Sequence, residues 1–285
     1  MDRLQLFMHL YMYELEIWLN EHREEIFNIS FQSDEANTDR PLKEYLKHVI
    51  ETECNCIVNL NRIKGISDKE SYFPITDDIR SIYIARVLLP EDINQEIRTI
   101  LQSRKNAVFT KPDLCLVLNI NGTISYETLE LKSTKTDAIP GSSVQQISPE
   151  EWVIFIKHGR DDVKIATGQY YHAINSKMPF PDRSPRPQVS FSELQNWNDV
   201  CRDDNGTTII YTSMGDELLK KELLEDWQGV LAERWTKIVL SKPGKCEPWF
   251  NNNLRKFVFK FLKYYDAMPL YEKEQYKEFL FFSSQ

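Results

Sequence analysis

Apolar residues recur at helical spacing along the first part of the chain. Residues 3–27 follow this pattern, and a second amphipathic segment runs through PLKEYLKHVIET. Thr38 or Asp39 is placed to cap the second helix, and Pro41 falls in its first turn, where a missing backbone N–H costs nothing. The pattern predicts that residues 1–106 are mainly helical.

The pattern changes at about Ala107 to short runs rich in Val, Ile, Leu and Thr. These runs predict strands, and they are DLCLVLNI, TISYETLELK, EWVIFIK, VKIATGQYYHAI and TTIIYTS. A proline-rich connector follows at 179–187, and helical spacing returns after Ser213. We predict one domain over residues 1–285 of α/β (α+β) class, with a mixed or mostly antiparallel sheet in 107–214 and a helical part in 215–285.

A β-hairpin is predicted where two strand-like runs meet at Asn121-Gly122. This dipeptide favours a type I′ turn, because both central residues of that turn need positive φ. If the two residues form the turn, Ile120 pairs with Thr123, and Asp113 lies opposite Glu130. The apolar face of the hairpin is leucine-rich, so the register is firmly specified.

The predicted hairpin brings two carboxylates together. Opposed residues in an antiparallel pair have Cβ atoms about 4.5 to 5.5 Å apart, so Asp113 and Glu130 repel each other unless a cation lies between them. Mg²⁺ is typically held by one or two carboxylates and leaves its other positions to water and phosphate. Lys132 lies two residues beyond Glu130 and therefore on the same strand face, where its ammonium can stabilise a phosphate or orient a water.

The same residues carry a resemblance. Pro112-Asp113 followed by Glu130-Leu131-Lys132 resembles the PD-(D/E)xK nuclease motif, and ELKSTKTDAIPGSSVQQISPEEWVIFIK resembles the sequence that follows this motif in type II restriction endonucleases. The resemblance covers roughly residues 38–175. It implies a restriction-endonuclease-like fold, with a central mixed sheet flanked by helices.

The resemblance also implies an activity and its residues. Asp113 and Glu130 bind Mg²⁺, for which Mn²⁺ can substitute, and Lys132 serves the attacking water. The substrate is double-stranded DNA, cut at a specific sequence, and a homodimer matches the two strands of a symmetric site.

Further residues are assigned around this centre. Many enzymes of the superfamily carry another acid on the helix before the hairpin, and the resemblance of DRPLKEYLKHVI to that helix favours Glu44, with Glu51 as the competitor. For DNA contact, side chains that can read bases or bind phosphates lie in the loop after Lys132 and in the proline-rich connector. The DNA-contact candidates are Lys135, Gln145, Gln146, Arg183 and Arg186.

Composition limits the class of protein. The net charge of -8 weakens a DNA-binding interpretation, but acidic residues dominate near the start of the sequence and basic ones near the end, which leaves room for a positive cleft. The first twenty residues lack a signal-peptide cleavage site, no apolar run reaches membrane-spanning length, and the five cysteines are scattered. We therefore expect a cytoplasmic protein with free thiols and no membrane association.

Alternative interpretations stay open at this point. Asp113, Glu130 and Lys132 could form a surface charge cluster in which Lys132 is only a counter-ion. The fold could also serve a DNA repair or structure-specific nuclease, or a DNA-binding protein without catalysis.

Overall fold

A computed structural model of the chain describes residues 1–29, 40–68, 70–104, 112–140, 147–176 and 187–283. The chain divides into two compact units, Met1–Asp226 and Trp227–Gln285. The first is a mixed α/β unit, and the second is helical. That all 285 residues form one domain stays a prediction.

Helices occupy both ends of the sequence, as expected. Their bounds are α1 (Arg3–Glu21), α2 (Arg23–Phe27), α3 (Arg40–Thr52), α4 (Asp77–Arg80), α5 (Gln95–Arg104), α6 (Phe191–Cys201), α7 (Glu217–Leu240), α8 (Trp249–Ala267) and α9 (Leu270–Ser283). Asp2 caps α1 by accepting a hydrogen bond from the backbone N–H of Gln5, whose side chain accepts one in return from the Asp2 N–H.

Strands occur in three sheets of the described ranges. Their bounds are β1 (Gly65–Ser67), β2 (Tyr72–Pro74), β3 (Tyr83–Leu88), β4 (Leu114–Ile120), β5 (Thr123–Thr134), β6 (Ala138–Pro140), β7 (Trp152–His158), β8 (Val163–Gln169), β9 (Ile174–Asn175), β10 (Gln188–Ser190), β11 (Arg202–Asp204) and β12 (Thr208–Tyr211). The sheet orders are β3-β4-β5-β7-β8, β11-β12-β1-β2 and β6-β10-β9. The expected strands between 113 and 213 are confirmed except at Tyr170–Ala173, which form a short 3-10 helix. Further short strands occur at the front of the chain, β1 to β3, and within the later region, β6, β10 and β11.

The largest sheet is mixed. Strand β5 pairs antiparallel with β4 and parallel with β7, while β3–β4 and β7–β8 are antiparallel pairs. The predicted hairpin register is confirmed, because Ile120 pairs with Thr123 and Leu114 with Leu129. Asn121 and Gly122 have φ of 53° and 87°, as the predicted turn requires.

The two faces of this sheet meet different cores. The leucine-rich face of β4 and β5 packs into the main core together with apolar residues of α1 and α3. The opposite face contributes Cys115 to a smaller cluster with Leu101 of α5, and Phe155 of β7 packs edge-on against Phe191 of α6. Because the cores fix the hairpin on both sides, its polar residues are presented in one geometry.

Two buried carboxylates of α1 connect this helix to distant parts of the first unit. Glu14 accepts hydrogen bonds from the backbone N–H groups of Val58, Asn59 and Leu60, at 2.7, 2.9 and 2.9 Å. Two residues later, Glu16 forms an ion pair with Arg202. Glu14 thus satisfies the backbone N–H of Leu60, a buried residue, together with those of its two exposed neighbours.

The C-terminal unit has a different character. Helix α8 contains no fully buried residue, and Phe257 and Phe259 are 65% and 71% exposed. Helical spacing in RKFVFKFLKYY predicts a packed core face, and the helix is confirmed, but Phe261 and Tyr265 of that face are only half-buried. Among the described residues, none of the helices combines the length and the apolar character of a membrane span.

Candidate functional site

The polar end of the β4–β5 hairpin holds the three residues that the motif singled out. Asp113 directly precedes β4, and Glu130 and Lys132 lie in β5, two residues apart and hence on one face of the strand. Ladder pairing ends at Leu114 and Leu129, so Asp113 lies at the level of Glu130. The neighbouring parallel strand places Val153 beside Glu130 and Phe155 beside Lys132, which closes the site on that side with apolar side chains.

Asp113 is held from two directions. Its Oδ2 accepts a hydrogen bond of 2.8 Å from the backbone N–H of Leu131, and its Oδ1 lies 2.5 Å from Nζ of Lys43. The Lys43 and Asp113 side chains are only 19% and 21% exposed. A carboxylate fixed in this way keeps a defined orientation, and Lys43 of α3 joins the site as a second cation.

Glu130 and Lys132 form the second half of the cluster. Nζ of Lys132 lies 2.6 Å from Oε1 of Glu130, and the two side chains are 16% and 15% exposed. Burial raises the pKa of Glu130, and the charge of Lys132 opposes part of that shift while that of Asp113 adds to it. The expected repulsion between the two carboxylates is therefore compensated by the ammonium groups of Lys43 and Lys132, where the sequence suggested a metal cation.

Tyr170 lies over the same cluster. Its ring centroid is 5.8 Å from Nζ of Lys132, and its hydroxyl is buried without a hydrogen-bond partner among the described residues. Burial lowers the pKa of Lys132, but the neighbouring Tyr170 and Glu130 groups outweigh it, so that the pKa ends above its ordinary value. Lys132 is therefore an ammonium at neutral pH and acts as a positive charge and hydrogen-bond donor.

The donor set fits a hard divalent cation with an incomplete protein shell. Asp113 and Glu130 offer carboxylate oxygens on one side of the hairpin, and within the described ranges no group of three or more His, Cys, Asp or Glu side chains converges as a metal site. Mg²⁺ tolerates such a shell, because it retains several water molecules and is typically bound through one or two carboxylates. Zinc, which prefers a closed set of nitrogen and sulfur ligands, fits poorly.

The acids expected from α3 have other contacts. Oε1 of Glu44 accepts a hydrogen bond of 2.8 Å from Nε of Arg40, and the Glu44 side chain is 53% exposed. Oε1 of Glu51 accepts one of 2.7 Å from the backbone N–H of Val87 in β3. Among the described residues, the α3 side chain that pairs with a hairpin carboxylate is Lys43, and metal ligation by Glu44 or Glu51 stays a prediction.

The proposed DNA-contact residues are only partly described. Lys135 follows β5 directly and is exposed, three residues beyond Lys132. Gln145, Gln146, Arg183 and Arg186 lie outside the described residues.

Sequence reasoning missed Lys43 and Tyr170. The buried residues of α3 are Leu42, Leu46, Val49 and Ile50. At about 100° per residue, Lys43 lies at the edge of that buried face, next to Ile50, and Glu44 lies nearly opposite its centre. A helical wheel could have shown that Lys43 borders the buried face, but not which group it contacts. No comparable signal marks Tyr170, because its position depends on how the chain turns after β8.

An aromatic cavity of about 450 Å³ lies elsewhere in the first unit. Its lining includes His9 and His172, and the His172 ring stacks on Trp197 with centroids 3.5 Å apart. Burial lowers the pKa of His172, and burial together with the N-terminal ammonium lowers that of His9 to about 4. Both histidines are neutral in the folded protein at neutral pH.

These histidines should make stability depend on pH. A folded-state pKa below the unfolded value means that stability is fully present above about pH 6.5 and declines as the pH falls below it, by up to about 1.4 kcal/mol per pH unit for each histidine. Urea denaturation at pH 7 and pH 5 measures this loss. The variant His172→Phe keeps a flat ring against Trp197 and should lose less stability between the two pH values; an unchanged loss would contradict the assignment to His172.

Comparison of the chain with protein-family models, with curated proteins and with solved structures gives no match.

Proposed function

We propose that the protein is a divalent-metal-dependent endonuclease that hydrolyses phosphodiester bonds of duplex DNA at a specific sequence, on a restriction-endonuclease-like fold. The observation that carries the proposal is the placement of Asp113, Glu130 and Lys132 at one end of a firmly registered hairpin. That hairpin belongs to a mixed sheet in which β5 has an antiparallel neighbour on one side and a parallel neighbour on the other. The arrangement supports the motif resemblance, since the letters alone are short and degenerate.

The proposed reaction is a hydrolysis. The oxygen of a water molecule forms a bond to phosphorus, the bond from phosphorus to one bridging oxygen breaks, and the bridging oxygen gains a proton while the water loses one. Asp113 and Glu130 hold Mg²⁺ or Mn²⁺, which supplies positive charge to the phosphate oxygens. Lys132 donates hydrogen bonds to the phosphate or to the water, and its ammonium state suits stabilisation of developing negative charge.

Binding of DNA and self-association complete the proposal. Lys135, Gln145, Gln146, Arg183 and Arg186 are the proposed contacts to phosphates and base edges. A homodimer would present two copies of the site to the two strands of a symmetric sequence. Both points derive from the motif resemblance and from the residue types in these loops.

Replacing Asp113 by asparagine tests the metal site. Mg²⁺ or Mn²⁺ should raise the melting temperature of the wild-type protein, since a ligand at 100 times its Kd stabilises the folded state by about 2.7 kcal/mol. Asp113→Asn should lose most of this response and most cleavage activity. Its stability without metal should fall, because Lys43 loses its carboxylate; repulsion between carboxylates alone would predict the opposite. Thermal melts with and without metal measure both effects.

Asp92 provides a matched control. It pairs with Lys47, one turn after Lys43 on α3, and accepts a hydrogen bond from the backbone N–H of Leu89. Asp92→Asn should lose a similar ion pair and keep the metal response. If wild type shows no metal response even with DNA bound, and Asp113→Asn still cleaves, the proposed metal site is wrong.

Digestion of a sequenced plasmid with Mg²⁺, followed by mapping of the ends, tests the activity itself. Discrete fragments with a common terminal sequence support a site-specific endonuclease. Nicks confined to lesions or junctions point to a repair or structure-specific nuclease. Absence of hydrolysis with Mg²⁺ and with Mn²⁺ points to a DNA-binding protein without catalysis, and overturns the proposal.

A further inference from the structure

Both carboxylates of the proposed metal site already have an ammonium partner. Asp113 is paired with Lys43, at 2.5 Å, and Glu130 with Lys132, at 2.6 Å. The motif accounts for Lys132 but not for Lys43, which comes from α3, more than sixty positions before the hairpin. Two positive and two negative charges therefore balance within a cluster whose side chains are each about four-fifths buried or more.

The Lys43 contact competes directly with a metal ion. Oδ2 of Asp113 accepts a hydrogen bond from the backbone N–H of Leu131, and Oδ1 holds Lys43, so each carboxylate oxygen already has a partner. A divalent cation bound to Oδ1 would replace or weaken that contact and would repel the nearby ammonium. An ammonium displaced from a mostly buried carboxylate needs another anion, because burial of an unpaired charge costs several kcal/mol.

We propose that Lys43 controls metal binding by exchanging ion-pair partners, a role that we call an electrostatic gate. In the absence of substrate its ammonium pairs with Asp113, and when DNA and metal bind together the ammonium moves to pair with a DNA phosphate. This inference rests on the proposed function. Lysine suits the role, since its ammonium is a compact charge on a flexible stem and binds phosphate without a fixed geometry. The gate couples the binding of the two ligands. A DNA phosphate draws Lys43 away from Asp113 and so favours metal binding, and the bound metal displaces Lys43 and so favours its contact with DNA.

The first test measures metal affinity without DNA. Lys43→Met removes the charge and keeps a side chain of similar length. Calorimetric titration with Mn²⁺ should show binding at least about 5-fold tighter than to wild type, within the usual range of coupling between sites. Lys47→Met is the matched control, because Lys47 pairs with Asp92 at 3.3 Å on the same helix, and its affinity for Mn²⁺ should equal that of wild type.

The second test measures DNA affinity, which Lys43→Met should lower, whereas the same variant should raise the affinity for Mn²⁺. In Ca²⁺, the affinity of Lys43→Met for duplex plasmid fragments should fall relative to wild type, because a phosphate contact is lost. Lys43→Arg keeps the positive charge and should therefore bind Mn²⁺ as weakly as wild type. This comparison shows whether the effect of Lys43→Met comes from the lost charge and not from misfolding. A merely structural ion pair predicts Mn²⁺ affinity that is unchanged or weaker in Lys43→Met.

The outcomes separate this inference from the proposed function. If wild type binds Mn²⁺ and cleaves DNA, but Lys43→Met binds Mn²⁺ no more tightly, the gate is wrong and the nuclease proposal stands. If neither wild type nor Lys43→Met binds Mn²⁺, the metal site itself fails, and the gate fails with it. Tighter Mn²⁺ binding combined with weaker DNA binding supports the gate.

Discussion

Replacing Lys132 by alanine is expected to slow DNA cleavage by about 10²-fold or more, while the affinity for DNA in Ca²⁺ changes only a few-fold. Removal of one donor that stabilises charge in a transition state is worth about 3 kcal/mol. The Lys132 ammonium meets the conditions for this role, because it is mostly buried and faces the proposed metal ligands. Single-turnover cleavage of a plasmid separates the chemical step from binding.

Lys135 provides the comparison for this experiment. It lies three residues further along the chain, is exposed, and is a proposed DNA contact. Lys135→Ala should therefore weaken DNA binding and reduce its salt dependence, with little effect on the rate once DNA is bound. A Lys132→Ala protein that cuts at the wild-type rate would remove Lys132 from the mechanism.

Replacing Glu16 by alanine is expected to lower the free energy of unfolding by about 3 to 5 kcal/mol, the usual effect of removing one partner of a buried ion pair. Glu16 pairs with Arg202, whose side chain is 9% exposed, and its Oε2 accepts hydrogen bonds from the backbone N–H of Thr167, at 2.5 Å, and from Asn198, at 3.0 Å. The variant leaves Arg202 buried without its carboxylate and leaves these donors unsatisfied. Urea denaturation at neutral pH measures the loss.

An exposed acid of the same helix serves as the control. Glu21 is the last residue of α1 and is exposed, so Glu21→Ala should change stability by no more than about 0.5 kcal/mol. If Glu16→Ala were equally mild, the contacts of Glu16 with Arg202, Thr167 and Asn198 would contribute little to holding α1 in place.

The hairpin could be predicted from sequence because local rules determine it. Asn121-Gly122 specifies the turn, and leucine at every second position specifies the face that packs into the main core, so the level of Asp113 relative to Glu130 follows by counting. The same reasoning could not place Lys43. Its contact with Asp113 depends on how α3 packs against the sheet, and that packing is a tertiary property.

Short strands at the front of the chain were missed for a related reason. Strand β1 spans only Gly65–Ser67, too few residues to show a period, and its parallel partner is β12, where Gly65 pairs with Thr208. Residues far apart in sequence determine such a strand, so no local window contains the signal. The helical spacing of 3–27 also gave no sign of the interruption at His22, between α1 and α2.

The position of α1 has a consequence for the order in which the chain folds. Its side chains bond to groups that are synthesised much later: Asn20 with Ile165, 145 residues on, and Glu16 with Arg202, 186 residues on. At about 5 to 20 residues per second, roughly ten to forty seconds separate synthesis of Glu16 from that of its partner. During this interval α1 can pack only against nearby segments such as residues 58–60, because Ile165 and Arg202 have not yet been made, so its docking is completed late. Contacts of such long sequence separation also make folding slow.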